Sequence, residues 1–277
     1  MRAIVLTCDR YRLSTKHMLL QYQRLWPGHP FRFRIPYQNV GADFNGIIPP
    51  NRLEMVRTSS EIKPTVLQLL ADLDDEEMIY WCIDDKYPIK LNLGFIEALA
   101  SWLSNGPAAG IDGVLFCRCR RMWEQEHLSG NSLRVGRATV LHERSNYEQI
   151  WIHQFARVKV IRQLFQSFPD LIPVAKIMDD FKARLSKPSD HHLYVTNHNW
   201  ARFGESSASG RLTRNVVNSI QRSQLDMNDC ELLLSNRTIL IGSLRDELIF
   251  EHGNPRLAVL ATALGSRLIR PWQQRCF

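Results

Sequence analysis

The chain opens with an apolar run, Arg2–Cys8, closed by Asp9 and Arg10. A short β-branched and aliphatic run of this kind predicts a strand buried on both faces. Ser14 then offers an N-cap. Met18, Leu19, Tyr22 and Leu25 recur at helical spacing, so a helix is expected over Thr15–Trp26, ending before Pro27-Gly28. Phe31–Ile35 alternates apolar and basic residues, the period of a strand with one solvated face. After a loop at Pro49-Pro50, Pro64 suits the first turn of a helix running to about Leu73. Met78–Ile83 is another short apolar strand, stopped abruptly by Asp84-Asp85. Leu93–Leu103 has a helical pattern, and Gly113–Cys119 reads as a further strand. Strands alternating with helices predict an α/β fold, a mostly parallel sheet flanked by helices.

The second half is less regular. Residues 125–149 are polar and predict loops. Gln149–Phe168 predicts an amphipathic helix with room for a strand at its start, and Asp179–Leu185 a short helix. Asn197–Asn215, rich in Ser, Thr, Gly, His and Trp, has loop chemistry. A helix is expected at Asn215–Leu225, a strand at Thr238–Ile241 and a helix at Pro255–Leu264. No repeat, low-complexity tract or linker divides the chain, which predicts a single domain over residues 1–277.

Composition narrows the class. With 44% hydrophobic and 23% charged residues, wholesale disorder is excluded. No run of about eighteen apolar residues occurs, so no spanning helix is expected. MRAIVLTCDR is too short and too soon charged for a secretory segment, and a cytoplasmic chain is expected. The six cysteines form no CxxC pair, Cys117-Arg-Cys119 has the wrong spacing for zinc, and reduced thiols are expected.

The net charge of +7 is unevenly placed. Residues 1–37 hold seven Lys and Arg against Asp9 alone, and residues 255–277 hold four Arg and no acid. Asp72, Asp74, Asp75, Glu76 and Glu77 form an acidic cluster. Basic ends suit phosphate-bearing ligands, nucleic acid or an anionic membrane surface, and equally a solvated surface.

The segment carrying the most chemistry is MIYWCIDDKYPIK. A buried strand delivers Asp84 and Asp85 at its carboxyl end, the edge where open α/β sheets bind ligands. Adjacent carboxylates repel, and a hard cation such as Mg²⁺ or Mn²⁺ relieves them while taking phosphate oxygens and water as its other ligands. An acidic turn with no ligand is the plain alternative.

The order of elements and the Ile-Asp-Asp at 83–85 resemble bacterial nucleotide-sugar glycosyltransferases of the GT-A fold, of the kind that assemble surface polysaccharide. FGESSASGRLTRN and IHQFARVKVIRQLF resemble segments of such chains. The resemblance covers most of the chain in order, although position 83 is Ile, so a strict DxD is absent. It implies a GT-A-like, Rossmann-like sheet with residues 1–120 as the donor half and 121–277 as the acceptor half. It implies hexosyl transfer from a nucleotide diphosphate sugar to a hydroxyl of a glycan, such as lipopolysaccharide or a lipid-linked glycan, with a divalent metal, Mn or Mg, held through Asp84 and Asp85.

On that reading Thr7, Asp9, Arg10 and Arg12, following the first strand, lie where the nucleotide would bind: a carboxylate can accept from ribose or base, and Arg can pair with diphosphate. Lys63 could reach the donor, Tyr37 and Gln38 could line the base pocket, and His198 is a candidate third metal ligand. Asp179 and Asp180 are the candidate bases for the acceptor hydroxyl, with His153 and Glu205 behind them; a helix N-terminus would equally favour paired acids. Trp200 and Phe203 could stack on a sugar or pack. His191-His192 lacks spaced partners for zinc.

Other functions fit less well. There is no GxxxxGK[ST], no GxGxxG after the first strand and no GxSxG. A sugar-phosphate nucleotidyltransferase shares the sheet and the acid-bound metal, but its first loop would be Gly-rich, unlike Thr-Cys-Asp-Arg-Tyr-Arg. A basic nucleic-acid-binding module would explain the charge, yet no known recognition motif accompanies it. In residues 255–277, Leu257, Leu260, Leu264 and Leu268 share a helical face flanked by Arg256, Arg267 and Arg270. Two readings stay open: peripheral contact at the inner face of a membrane, or a helix packed on the core.

Overall fold

The computed structural model describes residues 1–39, 44, 46–105, 110–117, 128–135, 139–147, 149–170, 175–208, 211–213 and 239–240. In chain order the elements are β1 (Arg2–Leu6), α1 (Arg12–Leu25), β2 (Arg32–Tyr37), β3 (Leu53–Arg57), α2 (Ile62–Leu69), β4 (Met78–Ile83), β5 (Lys86–Leu91) and α3 (Leu93–Asn105). There follow β6 (Gly113–Leu115), β7 (Leu128–Val135), β8 (Thr139–Arg144), β9 (Gln154–Arg157), α4 (Val158–Ser167), α5 (Ala175–Lys182), β10 (Leu193–Thr196), β11 (Ala201–Glu205), β12 (Ser207–Ala208), β13 (Arg211–Thr213) and β14 (Ile239–Leu240).

Nine strands form one sheet in the order β3-β2-β1-β4-β9-β6-β10-β8-β7. β1, β2, β3 and β4 run parallel, β9 is antiparallel between β4 and β6, β10 is parallel to β6, and β8 and β7 close the sheet as an antiparallel pair. The expected class, a mostly parallel sheet flanked by helices, is the one observed. Side chains alternate across it. Ala3, Val5, Tyr80 and Cys82 face a core built with α1 and α3; Ile4, Leu6, Ile79, Trp81 and Ile83 face a core built with α2, α4 and Met178 of α5. Apolar residues on both faces are why β1 and β4 read as continuous runs.

Several elements differ from expectation. α1 begins at Arg12, because a turn of 3-10 helix over Asp9–Tyr11 feeds straight into it; Ser14 is a buried helical residue and caps nothing. The two basic residues of β2 differ: Arg32 is exposed, as the alternation predicts, but Arg34 is only 5% exposed and is held by Asp72 at 2.5 Å and Glu54 at 3.3 Å. The hairpin β7/β8 occupies a stretch expected to be loop. β7 is exposed along most of its length, so its ladder, and no apolar alternation, defines it.

β5 follows Asp84-Asp85 directly and pairs antiparallel with β11 in a separate ribbon, where loop was expected. Gly204 makes this pairing feasible: a Cβ there would lie 2.5 Å from the Tyr87 ring. The helix expected from Gln149 starts at Val158, preceded by β9. Ile239–Leu240 falls in the expected strand and pairs with β13. The helices expected at Asn215–Leu225 and Pro255–Leu264, and the segment 255–277, lie outside the described residues. No described helix is long and apolar enough to cross a membrane.

Candidate active site

β1 and β4 are neighbours in register, Leu6 opposite Ile83, so their carboxyl ends reach one edge together. Alternation turns Thr7 and Asp84 toward α1. The Asp84 N–H donates to the Leu6 carbonyl at 3.2 Å, and the Thr7 hydroxyl donates to Asp84 Oδ2 at 2.7 Å. Thr15 of α1 backs this contact, its hydroxyl 2.8 Å from that of Thr7. Asp84 is 8% exposed. Burial, then repulsion from Asp85, pushes its carboxyl up to about 8, against the Thr7 hydrogen bond. A carboxyl in this state holds a proton near neutrality, and a cation beside it would favour releasing that proton.

Asp85 is half-buried, and its backbone carbonyl accepts from the Ser206 N–H at 2.6 Å. Next to it, Lys86 is buried and pairs with Glu205, its partner across the β5/β11 ribbon, at 2.8 Å; its ammonium lies 3.6 Å from Asp85 Oδ2. Sequence reasoning assigned Lys86 no role. The signal was its place directly after the acids, but its partner Glu205 is far along the chain.

The residues expected on the nucleotide side, apart from Lys63, follow β1 at the same edge. Asp9 accepts from the backbone N–H of Gln38 at 3.0 Å and of Asn39 at 2.8 Å, while its own N–H donates to Gln38 Oε1 at 2.7 Å. Gln38 Nε2 donates in turn to Thr58 Oγ1 and the Ser59 carbonyl. Asp9 and Gln38 therefore staple together the loops that follow β1, β2 and β3. Arg10 and Arg12 are exposed, and neither forms an ion pair with another described residue. Lys63 is engaged elsewhere: its ammonium binds the Phe168 carbonyl and Asp170, each at 2.6 Å, tying α2 to the end of α4.

Asp179 and Asp180 are the fifth and sixth of eight residues in α5, so an N-terminal dipole does not account for them. Asp179 Oδ1 accepts from Trp151 Nε1 at 2.7 Å and Lys182 Nζ at 2.9 Å; Asp180 is exposed. Trp151 belongs to the segment entering β9, which crosses the carboxyl end of β4, so α5 is moored to that edge. His153 is fully buried, which keeps it from any acceptor hydroxyl, and burial pushes its imidazole down to about 3. Glu205 is neutralised by Lys86.

His198 is exposed between β10 and β11. Among the described residues no three or more His, Cys, Asp or Glu side chains gather in a group that could hold a metal, so His198 is not assembled with Asp84 and Asp85. The acid pair itself still fits a hard cation, which needs few protein carboxylates when phosphates supply the rest. Trp200 stacks on Phe95 at 5.1 Å, and Phe203 packs against His153 at 4.8 Å, so both serve packing. His191 bonds to Tyr147 and His192 to Glu143.

No family model matches the chain, and no curated protein matches it. Among solved structures it is similar to the galactosyltransferase LgtC in complex with donor and acceptor sugar analogs, at 10% identity and a TM-score of 0.40, over 99% of this chain and 100% of that one. It is similar to S. aureus TarS at 14% identity and a TM-score of 0.42, over 98% of this chain; it spans about half of TarS, 46%. A 4-diphosphocytidyl-2C-methyl-D-erythritol synthase from Anaerococcus prevotii DSM 20548 matches at 9% identity and a TM-score of 0.40, over 80% of this chain and 95% of that one.

Proposed function

We propose that the chain is a glycosyltransferase moving a sugar from a nucleotide diphosphate sugar to a hydroxyl of a glycan. One observation carries the reading: β4 ends in an acid pair whose buried member is braced by Thr7, at the edge where Arg10 and Arg12 stand exposed. Carboxylates and guanidinium groups at one edge suit a diphosphate, the carboxylates through a cation and the guanidiniums directly.

Asp84 and Asp85 would hold Mn²⁺ or Mg²⁺. Bound there, the ion supplies countercharge for the departing diphosphate. Arg10 and Arg12 pair with the same phosphates. The stapled loops at Asp9 and Gln38 form a rigid floor for the nucleoside, which Thr7 borders. Asp179, with Asp180 beside it, takes the proton from the acceptor hydroxyl in an inverting reaction. His198, exposed between β10 and β11, would be a further metal ligand or touch the diphosphate. The basic, Leu-lined segment 255–277 suits a cytoplasmic enzyme working on a lipid-linked glycan at the inner face of a membrane.

A thermal-shift screen tests the reading. Nucleoside diphosphates should raise the melting temperature with Mn²⁺ and much less without it, since a ligand that binds only the native state stabilises it. No response to any nucleoside diphosphate would refute it. Pyrophosphate release from a nucleoside triphosphate and a sugar 1-phosphate would make the chain a nucleotidyltransferase instead.

A further inference from the structure

The β4–β9 ladder runs only as far as Trp81 opposite Gln154. Two residues further along β4, the Ile83 carbonyl points toward β9 with no ladder partner, because the Asp84 N–H of the same peptide is turned the other way, to Leu6 on β1. The ring of His153, the residue just before β9, fills the gap: its Nε2 lies 2.9 Å from the Ile83 oxygen. A carbonyl can only accept, so Nε2 carries the proton and Nδ1 is the acceptor. Nδ1 lies 2.6 Å from the Tyr22 hydroxyl, which must then donate, and the Tyr22 oxygen is 2.8 Å from the Tyr80 hydroxyl. Every proton in the chain Tyr80, Tyr22, His153, Ile83 is thereby assigned. The chain leaves β4 at Tyr80, passes through α1 and returns to β4 at the peptide preceding Asp84.

We infer that His153 is a positioning residue for the acid pair: it fixes the Ile83–Asp84 peptide, and so the direction in which Asp84 presents its carboxylate, through a buried relay that Tyr22 and Tyr80 lock. The inference rests on the reading of Asp84 and Asp85 as a cation site. The peptide is held on both sides, the Ile83 carbonyl by His153 and the Asp84 N–H by the Leu6 carbonyl, and Thr7 holds the Asp84 carboxylate, so the side chain is braced in one direction. The ring is itself confined, stacked on Tyr22 at 5.8 Å and pressed by Phe203 of the β5/β11 ribbon. Groups that orient a ligand without touching the ion are what set its geometry.

The test uses the full chain and Mn²⁺ added alone and with a nucleoside diphosphate, with free ion read by electron paramagnetic resonance, together with kcat and donor KM. His153→Phe keeps a ring and removes both nitrogens; it should weaken Mn²⁺ binding by about 10- to 100-fold and lower kcat while donor KM moves little. His153→Gln, whose amide can reach the same carbonyl, should recover most of that loss. Tyr22→Phe, which leaves Nδ1 without its donor, should fall between, and it carries the test if the Phe variant does not fold. Nitrogen-15 spectra of the wild-type imidazoles should show one buried ring as the neutral Nε2–H tautomer. Wild-type Mn²⁺ affinity in His153→Phe, a Gln variant no better than Phe, or the Nδ1–H tautomer would overturn the inference alone. A wild-type chain that binds no Mn²⁺ even with a nucleoside diphosphate present would overturn the cation reading beneath it.

Discussion

His17 sits in α1 with none of its surface exposed, packed edge-on against Tyr87 at 4.7 Å, and neither ring nitrogen meets a hydrogen-bond partner among the described residues. Burial, helped by the charge of Arg24, pushes it from 6.5 down to about 4. Unfolding releases a group that protonates below 6.5, so its contribution to stability is whole above that pH and is lost as pH falls toward 4. At pH 5.0, about 1.5 units below the unfolded value at about 1.36 kcal/mol per unit, the loss is about 2 kcal/mol. Replacing His17 with Phe keeps a ring of similar shape, removes the titration and removes two unsatisfied polar atoms, which cost roughly 1–3 kcal/mol wherever they stay unpaired. His17→Phe should therefore exceed the wild type in stability at pH 7.5, with a margin wider by about 2 kcal/mol at pH 5.0. The comparison must be between two chains. His29 and His153 are also buried and pushed down, to about 4 and about 3, whereas Asp84 at about 8 gains stability as pH falls. All three are common to both chains and cancel. Urea unfolding followed by tryptophan fluorescence at pH 7.5, 6.5, 5.5 and 5.0 measures the difference. Parallel pH curves for the two chains would refute the reasoning, since His17 would then titrate alike in both states.

Asp85→Asn should abolish transfer and leave the unfolding midpoint close to wild type, because the residue is half-buried and lies outside the apolar core; near-normal turnover would make the pair a simple turn. Arg10→Ala should raise donor KM more than it lowers kcat, the pattern of an interaction made equally in ground and transition states; an unchanged nucleoside diphosphate affinity removes Arg10 from the site. Gly204→Ala should cost about 1–3 kcal/mol by overpacking, since its Cβ would meet the Tyr87 ring at 2.5 Å, and a melting curve that does not move would show that the ribbon can shift. For residues 255–277, co-sedimentation should favour anionic over neutral liposomes and lose that preference when Arg267, Arg270 and Arg275 become Gln; equal, negligible binding in all cases would leave a segment packed on the protein.

How much of this was legible in the chain depends on the distance over which each feature is specified. β4 is set by its own six residues, and Met78–Ile83 was read to the residue. β11 is set by a partner more than a hundred positions away: only opposite Lys86–Leu91 does Ala201–Glu205 become a strand, so a local reading found loop. The basic N-terminus shows the same limit with direct consequences for the site. Arg2, Arg34 and Arg10 are equivalent in the charge pattern. In the fold, Arg2 meets Glu77 at 2.6 Å and Arg34 meets Asp72 at 2.5 Å, both acids from the cluster before β4. Those acids neutralise Arg2 of β1 and Arg34 of β2 but do not reach the loop beyond β1. The pairing thus leaves Arg10 and Arg12 exposed at the carboxyl edge, which concentrates positive charge beside Asp84 and Asp85. The acidic cluster trims Arg2 and Arg34 from a patch that looked uniform in sequence and leaves Arg10 and Arg12 free to face the edge that carries the acid pair.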